Sequence, residues 1–404
     1  MSSKTNEALR QMALAAYKRR PVLPEQYQTM YRLEHANGGL LCDIWFMSRG
    51  CYHDSQGGCT MCNYGKSSKK VREEEILIQI RKLINSLPKQ FEDFLLTPSG
   101  SILDDREVTA EFREKLFKEV EAVQAKRFIV ETRADTITEE KLKCFDSLKT
   151  RMDCYIEIGL ESSNNWILKH CINKGITIQE FQRAVGLIHK AGLKVTANVG
   201  VGIPFLHERV SVIYTVKTVR DALLCGADSI VLFPYHVKQG TVMRDMERMG
   251  MYQCISMWSL IEVLQRLKED WLDRVQISWY KDYYGKSTSG IYSSPGTCPK
   301  CRRKVERMLD QYRDRPSAKI RDSLGSISCE CRESWKEKLE KEPEELVYDE
   351  IENMYRKLSE YYGINQELLN RELVTMEQEF HKMMMPGLKG NGPKQQGNER
   401  RRLQ

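Results

Sequence analysis

The chain has 404 residues, of which 41% are hydrophobic, and its 63 Lys and Arg against 56 Asp and Glu give a net charge of +7. This length and hydrophobic content exclude intrinsic disorder for most of the chain and predict one large domain with an appendage, or two domains. The small positive charge neither requires nor excludes a polyanionic partner such as tRNA.

The N-terminal residues contain no apolar segment before a small-residue cleavage site, and no stretch approaches the roughly 18–20 apolar residues that cross a bilayer. We therefore expect a cytoplasmic protein with no membrane partner. Because cytoplasmic thiols stay reduced, the 13 cysteines are not expected to form a disulfide framework, and some are candidate metal ligands.

Short apolar segments alternate with helical ones, which is typical of βα units and a parallel sheet. The predicted strands are 40–47, 93–98, 127–132, 154–160, 194–201 and 229–235, with a shorter one at 275–280. The predicted helices are near 72–88, 109–124, 138–148, 177–191 and 207–224. Periodicity does not choose between most of a (β/α) barrel and an open doubly wound sheet, but in both the chemistry lies at the carboxyl ends of the strands.

Beyond about residue 285 the pattern changes to a turn-rich loop followed by charged helices near 302–312, 332–361 and 365–383. We predict four parts: an N-terminal helical extension (1–39), a core (40–285), a C-terminal module of cysteine pairs and helices (286–385), and a disordered tail (386–404).

Three cysteines, Cys51, Cys59 and Cys62, form C-x7-C-x2-C in the loop that follows the first predicted strand. Structural zinc usually takes four ligands, whereas an iron–sulfur cubane held by three thiolates keeps one iron open. His53 can supply a fourth zinc ligand, so a zinc knuckle stays an alternative at this point.

Polar and glycine-rich motifs follow the next four predicted strands: TPSGS (97–101), ETRAD (131–135), IGLES (158–162) and NVGVGIP (198–204). Each has an ordinary explanation as a turn, an ion pair or close backbone packing. Because they end consecutive strands, together with the cysteine loop they predict a ligand site on one face of the fold.

A second set, Cys298, Cys301, Cys329 and Cys331, forms C-x2-C and C-x-C pairs. Four thiols in two close pairs predict a second metal, with zinc as the first choice and an auxiliary iron–sulfur cluster as the second. The basic residues between the pairs predict a phosphate-contacting surface: Arg302, Arg303, Lys304, Arg313 and Arg315. The other cysteines are predicted to pack as small hydrophobic residues: Cys42, Cys144, Cys154, Cys171, Cys225 and Cys254.

The cysteine loop, SGS, ETRAD, IGLES, CINKGIT (171–177) and NVGVGIP occur in the order seen in radical S-adenosylmethionine (radical SAM) enzymes, and resemble the subgroup of the elongator catalytic subunit. FPYHVKQGTVM (233–243) and the late cysteines make the chain similar to the radical SAM subunit of archaeosine synthase. The resemblance implies an α/β fold, a partial (β/α)6 TIM-like barrel with a C-terminal Cys-rich, mainly helical module. The chain departs from the commonest C-x3-C-x2-C spacing and has Met61 where an aromatic residue is usual.

The resemblance also implies roles for individual residues. Cys51, Cys59 and Cys62 would carry a [4Fe–4S] cluster. Residues implied at catalysis or substrate are Glu131, Arg133 and Lys238. Residues implied at S-adenosylmethionine are Tyr64, Ser99, Gly100, Ser101, Glu161, Asn198, Val201, Gly202 and Ile203, the last three through backbone contacts beside adenine.

The implied activity is formation of a 5′-deoxyadenosyl radical. In the archaeosine synthase family the substrate is a lysine adduct of a deazaguanine base in tRNA, whose lysine C–N bond is broken. The implied partners are an electron donor of flavodoxin or ferredoxin type, tRNA, and a transglycosylase-like protein that transfers lysine. Two alternatives stay open: a radical SAM enzyme that modifies a peptide or small metabolite, and a non-catalytic, zinc-bound nucleic-acid-binding protein.

Overall fold

The computed structural model describes residues 4–20, 29–65, 72–88, 90–281 and 290–384. The strands in this part of the chain are β1 (Thr29–Ala36), β2 (Gly39–Phe46), β3 (Gln90–Pro98), β4 (Gln124–Thr132), β5 (Asp153–Glu161), β6 (Lys194–Val201), β7 (Ser229–Pro234), β8 (Val237–Lys238), β9 (Val275–Ile277) and β10 (Ile291–Ser293). Eight of them form one sheet in the order β1-β2-β3-β4-β5-β6-β7-β9, and β8 pairs with β10.

The large sheet is parallel except at one edge, where β1 runs antiparallel to β2. Each parallel strand lies beside the one before it in the chain, which is the order of a (β/α) barrel and not of a doubly wound sheet. The predicted partial (β/α)6 barrel is therefore confirmed, and the short seventh strand is β9.

The helices are α1 (Glu7–Lys18), α2 (Tyr52–Ser55), α3 (Glu73–Ser86), α4 (Ala110–Val120), α5 (Glu139–Leu142), α6 (Asn165–Ile167), α7 (Ile178–Lys190), α8 (Glu208–Leu224), α9 (Val242–Arg248), α10 (Met257–Arg266), α11 (Pro299–Asp314), α12 (Ala318–Gly325), α13 (Glu330–Lys341), α14 (Tyr348–Tyr362) and α15 (Gln366–Met384). The start of α7 has the capping box that Thr177 and Glu180 predict. Within the described ranges, no helix has the length and apolar content that crossing a membrane requires.

Three predicted elements differ from the structure. The helix expected at 138–148 is one α-helical turn, α5, followed by a 3-10 turn. The helix expected at 332–361 is divided into α13 and α14 around Pro343, which cannot donate a backbone hydrogen bond. The N-terminal segment expected to be helical contains α1 and also strand β1. The predicted disordered tail (386–404) lies outside the described residues.

The buried residues form two clusters. The first fills the sheet and its covering helices and includes residues of α11, α12 and α13. The second joins α1, the segment 166–172 and helices α14 and α15. Within it, the Tyr355 hydroxyl donates to the His170 carbonyl (2.6 Å) and the Trp166 indole donates to the Met376 carbonyl (3.0 Å). The first helix and the last two therefore pack over the same segment of the barrel.

Candidate functional site

A cavity of 580 Å³ lies inside the sheet and extends to the carboxyl ends of the strands. Because side chains alternate along a strand, every second residue faces the cavity, as Glu157, Gly159 and Glu161 do on β5. Twelve residues implied by the resemblance line this one cavity: Cys51, Cys59, Cys62, Tyr64, Ser99, Gly100, Ser101, Glu131, Arg133, Glu161, Asn198 and Lys238.

The three remaining implied residues, Val201, Gly202 and Ile203, are not among the lining residues. The Ser211 hydroxyl accepts from the N–H groups of Gly202 and Ile203, each at 3.0 Å. The Tyr252 hydroxyl donates to the Gly202 carbonyl at 2.9 Å. These backbone groups are therefore hydrogen-bonded within the protein, and their contact with adenine stays a prediction.

The three cysteines of the first set are too far apart for one metal ion. Their sulfur atoms do not all lie within 4.8 Å of one another. A tetrahedral zinc ion with bonds of about 2.3 Å holds its sulfurs about 3.8 Å apart, whereas each thiolate of a cubane binds a different iron. The spacing is therefore wider than that of the ligands of one tetrahedral zinc ion, as the zinc knuckle would require.

His53, the fourth ligand of that alternative, has a different role. Its Nε2 donates to the Asn173 carbonyl at 2.8 Å. Burial, with a contribution from the Arg133 charge, lowers the pKa of His53 to about 3, so the ring is neutral. His53 therefore holds the cysteine loop against the segment that contains Asn173.

That segment, 171–175, fixes the cysteine loop through several further hydrogen bonds. The Asn173 amide donates to the carbonyls of Gly57 (2.8 Å) and Gly58 (3.0 Å). The Thr60 hydroxyl donates to the Cys171 carbonyl at 2.8 Å. The CINKG motif thus holds the loop in place, and its own Cys171 side chain is buried.

A buried ion pair holds the other side of the loop. Arg20, which follows α1, pairs with Asp54, and both side chains are buried. Arg20 also donates to the Cys62 carbonyl (2.8 Å), and Asp54 accepts from the Gly65 N–H (2.6 Å). The N-terminal helix therefore contributes to the position of the cysteines.

Cationic side chains surround the three thiols. Burial raises the pKa of Cys59 to about 12, and the nearby charge of Lys174 acts in the opposite direction. Lys238 likewise acts against the burial that raises the pKa of Cys62. These cations favour thiolates over thiols, and thiolates are the form that binds iron.

Glu161 lies at the end of β5 in the left-handed backbone region, with φ of +66°. Its carboxylate accepts from the Lys174 ammonium (3.0 Å) and the Tyr235 hydroxyl (2.7 Å). A Cβ atom on Gly159 would lie 2.6 Å from the Lys174 nitrogen, and one on Gly200 would lie 2.1 Å from the Tyr235 oxygen. The glycines of IGLES and NVGVG therefore leave space for this buried triad, and a non-glycine residue held at positive φ is typical of a functional site.

The SGS turn at the end of β3 is held by Glu107. This carboxylate accepts from the N–H groups of Ser101 (2.5 Å) and Tyr52 (2.7 Å), which joins the turn to the cysteine loop. Burial raises the pKa of Glu107 to about 7. The Gly100 N–H donates to the Pro98 carbonyl at 2.7 Å. The N–H groups of Gly100 and Ser101 are therefore both used within the protein.

Away from the cysteine loop, the cavity wall carries carboxyl and amide groups together with the cations Arg32 and Arg313. Glu131 and Glu157 are adjacent in the register of β4 and β5. Burial, followed by the charge of Glu131, raises the pKa of Glu157 to about 8. Within the described part of the chain, no donor reaches the buried oxygens Asp43 Oδ1, Asn198 Oδ1 and Gln276 Oε1. This region is suited to a ligand that carries N–H donors or a positive charge.

Of the five basic residues expected on a phosphate-contacting surface, Arg302, Arg303, Lys304 and Arg315 are exposed, whereas Arg313 is not. It is 5% exposed, lines the cavity and pairs with Glu34 of β1. Burial and this ion pair remove it from any surface that could meet a nucleic acid backbone. The four cysteines of its own module, Cys298, Cys301, Cys329 and Cys331, do not line the cavity.

Sequence reasoning did not assign a role to Lys174, Glu107 or Glu157. Glu157 could have been found, because strand alternation places it on the same face as Glu161. Lys174 and Glu107 lie on connecting segments, where no periodicity indicates the direction of a side chain. Only the folded chain brings them to the cavity.

Residues 45–211 match the family described as the Radical SAM superfamily. The archaeosine synthase subunit beta of Methanosarcina acetivorans is 30% identical over 302 residues, which cover 74% of this chain and 84% of that protein. The uncharacterized protein MJ0550 of Methanocaldococcus jannaschii is 27% identical over 340 residues, covering 82% of this chain and 90% of that protein. Among solved structures, the archaeal Methanocaldococcus infernus Elp3 matches with a TM-score of 0.44 and 19% identity, covering 59% of this chain and 58% of that chain.

Proposed function

The chain belongs to the radical SAM superfamily and, within it, to the family of the archaeosine synthase beta subunit, and from this premise we propose its cofactors and its reaction. The protein is a radical SAM enzyme, so the alternative of a non-catalytic nucleic-acid-binding protein is set aside. The family implies a [4Fe–4S] cluster and S-adenosylmethionine. We propose that Cys51, Cys59 and Cys62 hold the cluster, because all three line one cavity and do not group as ligands of a single ion.

When bound, the cluster supplies an open iron for the amino and carboxylate groups of S-adenosylmethionine and an electron for its cleavage to the 5′-deoxyadenosyl radical. The residues of the chain position the reactants and exclude water. The hydroxyl of Ser101 and the carbonyl of Gly100 are available to the methionine amino group beside Cys51. Arg133 donates from Nε and Nη2 to Asp135 and from Nη2 to the Lys174 carbonyl, and its Nη1 would meet a carboxylate.

The triad of Glu161, Lys174 and Tyr235 is proposed to contact the ribose. Its three side chains are fixed to one another, so Glu161 presents its carboxylate without further loss of side-chain freedom. The Lys238 ammonium lies 4.6 Å from the Tyr64 ring centre. Tyr64 would line the adenine side of the cavity and Lys238 the substrate side. Asn198 would meet the substrate beside Glu157.

We propose that the substrate carries a basic amine, as a lysine adduct of a deazaguanine base in tRNA does. The observation that supports this is a set of buried cavity oxygens that no donor reaches within the described residues, Asp43 Oδ1, Asn198 Oδ1 and Gln276 Oε1. An ammonium there would satisfy several acceptors at once. The reaction would be cleavage of the lysine C–N bond, with a lysine-transferring transglycosylase-like partner and an external flavodoxin or ferredoxin as electron donor.

The test begins with the protein purified and reconstituted under anaerobic conditions. With S-adenosylmethionine and dithionite it should form 5′-deoxyadenosine, and addition of tRNA that bears the lysine adduct should increase this product and yield the archaeosine base. The matched control is the same tRNA with the deazaguanine base but no lysine. If a lysine-containing peptide or free amine metabolite is consumed and the tRNA is not, the second alternative replaces the tRNA proposal. Absence of 5′-deoxyadenosine in every arm would reject both.

A further inference from the structure

The four cysteines of the C-terminal module lie at the distances that a single metal ion requires. The Sγ atoms of Cys298 are 3.7 Å from Cys301 and 3.5 Å from Cys329, and those of Cys331 are 3.6 Å from both Cys301 and Cys329. Four tetrahedral bonds of about 2.3 Å place sulfurs about 3.8 Å apart. A [4Fe–4S] cluster binds each thiolate to a different iron and a [2Fe–2S] cluster binds two thiolates to each iron, so either would need a wider set of four. The geometry points to one Zn²⁺ ion bound by these four thiolates.

The surroundings of the four sulfurs suit a negatively charged zinc–thiolate centre. Cys298 is the N-cap of α11 and Cys329 is the N-cap of α13, so two helix N-termini direct their partial positive charge to the site. The Trp258 indole N–H donates to Cys331 Sγ at 3.3 Å, and the Arg332 guanidinium lies 5.2 Å from the Trp258 ring centre. Such outer contacts orient metal ligands and offset their charge.

The zinc site also fixes one end of a helix that joins the two edges of the open barrel. The large sheet ends at β1 on one side and at β9 on the other. Near the far end of α11, the Tyr312 hydroxyl donates to the Val275 carbonyl of β9 (3.1 Å), while Arg313 pairs with Glu34 of β1. The Asn37 N–H, after β1, donates to the Arg313 carbonyl at 3.2 Å. Helix α11 therefore spans the gap between the edges, and we infer that the zinc ion has a structural role in closing the cavity wall.

The metal is tested in the full chain with Cys51, Cys59 and Cys62 all replaced by Ala, so that iron from the first set does not interfere. Elemental analysis of this variant should give one zinc per chain, and cobalt in place of zinc should give the absorption of a tetrahedral thiolate complex. Adding Cys298→Ser and Cys301→Ser should remove the zinc. Cys225→Ser, at the end of α8, is the matched control and should retain it. No bound metal, iron in place of zinc, or zinc retained by the double Ser variant would each overturn the proposal.

The Ser variants could fail to fold, so Cys298→His provides a second measurement. Histidine is also a zinc ligand, and this variant should bind one metal ion with a shifted cobalt spectrum. An unshifted spectrum would show that residue 298 is not a ligand.

The structural role is tested by hydrogen exchange on the zinc-loaded and zinc-depleted protein. Depletion should accelerate exchange in β1, β9 and α11 by at least tenfold, while β4 and β5, on the opposite side of the barrel, keep their rates. Equal acceleration in all strands, or no change in β1 and β9, would overturn the role in joining the edges. None of these readouts depends on S-adenosylmethionine cleavage, so they stand apart from the proposed reaction.

Discussion

The cysteines at 51–62 and those at 298–331 differ in spacing, in neighbours and in access to the cavity. The first three line the cavity, are not mutually within 4.8 Å, and lie among the cations Arg133, Lys174 and Lys238. The second four are mutually within 4.8 Å and lie at two helix N-termini away from the cavity. The difference teaches that the number and separation of the thiols, and not the presence of a C-x2-C pair, distinguish the two sets.

The largest expected effect comes from replacing Cys51, Cys59 and Cys62 together by Ala. Without its thiolates the first site should lose all cluster iron, and 5′-deoxyadenosine formation should fall by more than about 1,000-fold, since the chemistry belongs to the cofactor. Iron, sulfide and product are measured on the same anaerobic sample. Cys225→Ala is the control and should keep both. If the triple variant retains cluster iron, Cys51, Cys59 and Cys62 do not hold the cluster.

The next effect concerns the triad beside the first set. Lys174→Met removes the ammonium that pairs with buried Glu161, and an uncompensated buried carboxylate is costly. We expect the affinity for S-adenosylmethionine to fall about tenfold, or ~1.4 kcal/mol, measured by equilibrium dialysis. Lys190→Met, which breaks the exposed pair with Glu139, should leave the affinity unchanged. Equal affinity in the two variants would contradict a role for the triad at the ligand.

The two regions should also differ in their response to pH. Unfolded Glu157 ionises near pH 4.5, whereas folding raises its pKa to about 8, so the folded state binds the extra proton between these values. The free energy of unfolding should therefore fall as pH rises from 5 to 8, by up to about 1.4 kcal/mol per unit.

Glu157→Gln should remove that part of the slope, as measured by urea unfolding of the cluster-free triple Ala protein with and without this change. The zinc content should stay constant over the same range. If the slopes of the two proteins are equal, the carboxyl pair of Glu131 and Glu157 does not hold the extra proton.

The smallest expected effect comes from a change in the segment that holds the cysteine loop, which leaves the ligands of both sites in place. Asn173→Ala removes two hydrogen bonds to the cysteine loop, which stabilise it by about 1–2 kcal/mol together. The loop should release iron to a chelator several-fold faster, while the zinc remains bound. The release is measured as the loss of cluster absorbance. Asn165→Ala, which affects an exposed contact with Gln179, is the control. Simultaneous loss of zinc would mean that the two sites are not independent.

Much of the fold can be predicted from the spacing of apolar residues along the chain. The parallel strands were predicted within a few residues because strands buried by covering helices have a continuous apolar pattern bounded by turns. Helix α7 was predicted from its capping box and apolar stripe. The division of 332–361 into two helices was missed although Pro343 is visible in the sequence, and β1 was missed because an edge strand with one exposed face carries a weaker pattern.

The sequence by itself determined the cysteine sets, the strand-end motifs and their order, because these depend on residue type and spacing along the chain. Only the tertiary structure decided that Lys174 and Tyr235 meet Glu161, that Glu107 joins the SGS turn to the cysteine loop, and that Arg313 is buried against Glu34. It also decided the contrast between the two cysteine sets. Sulfur separations arise from how loops and helix ends are held by distant segments, and no local pattern encodes those distances.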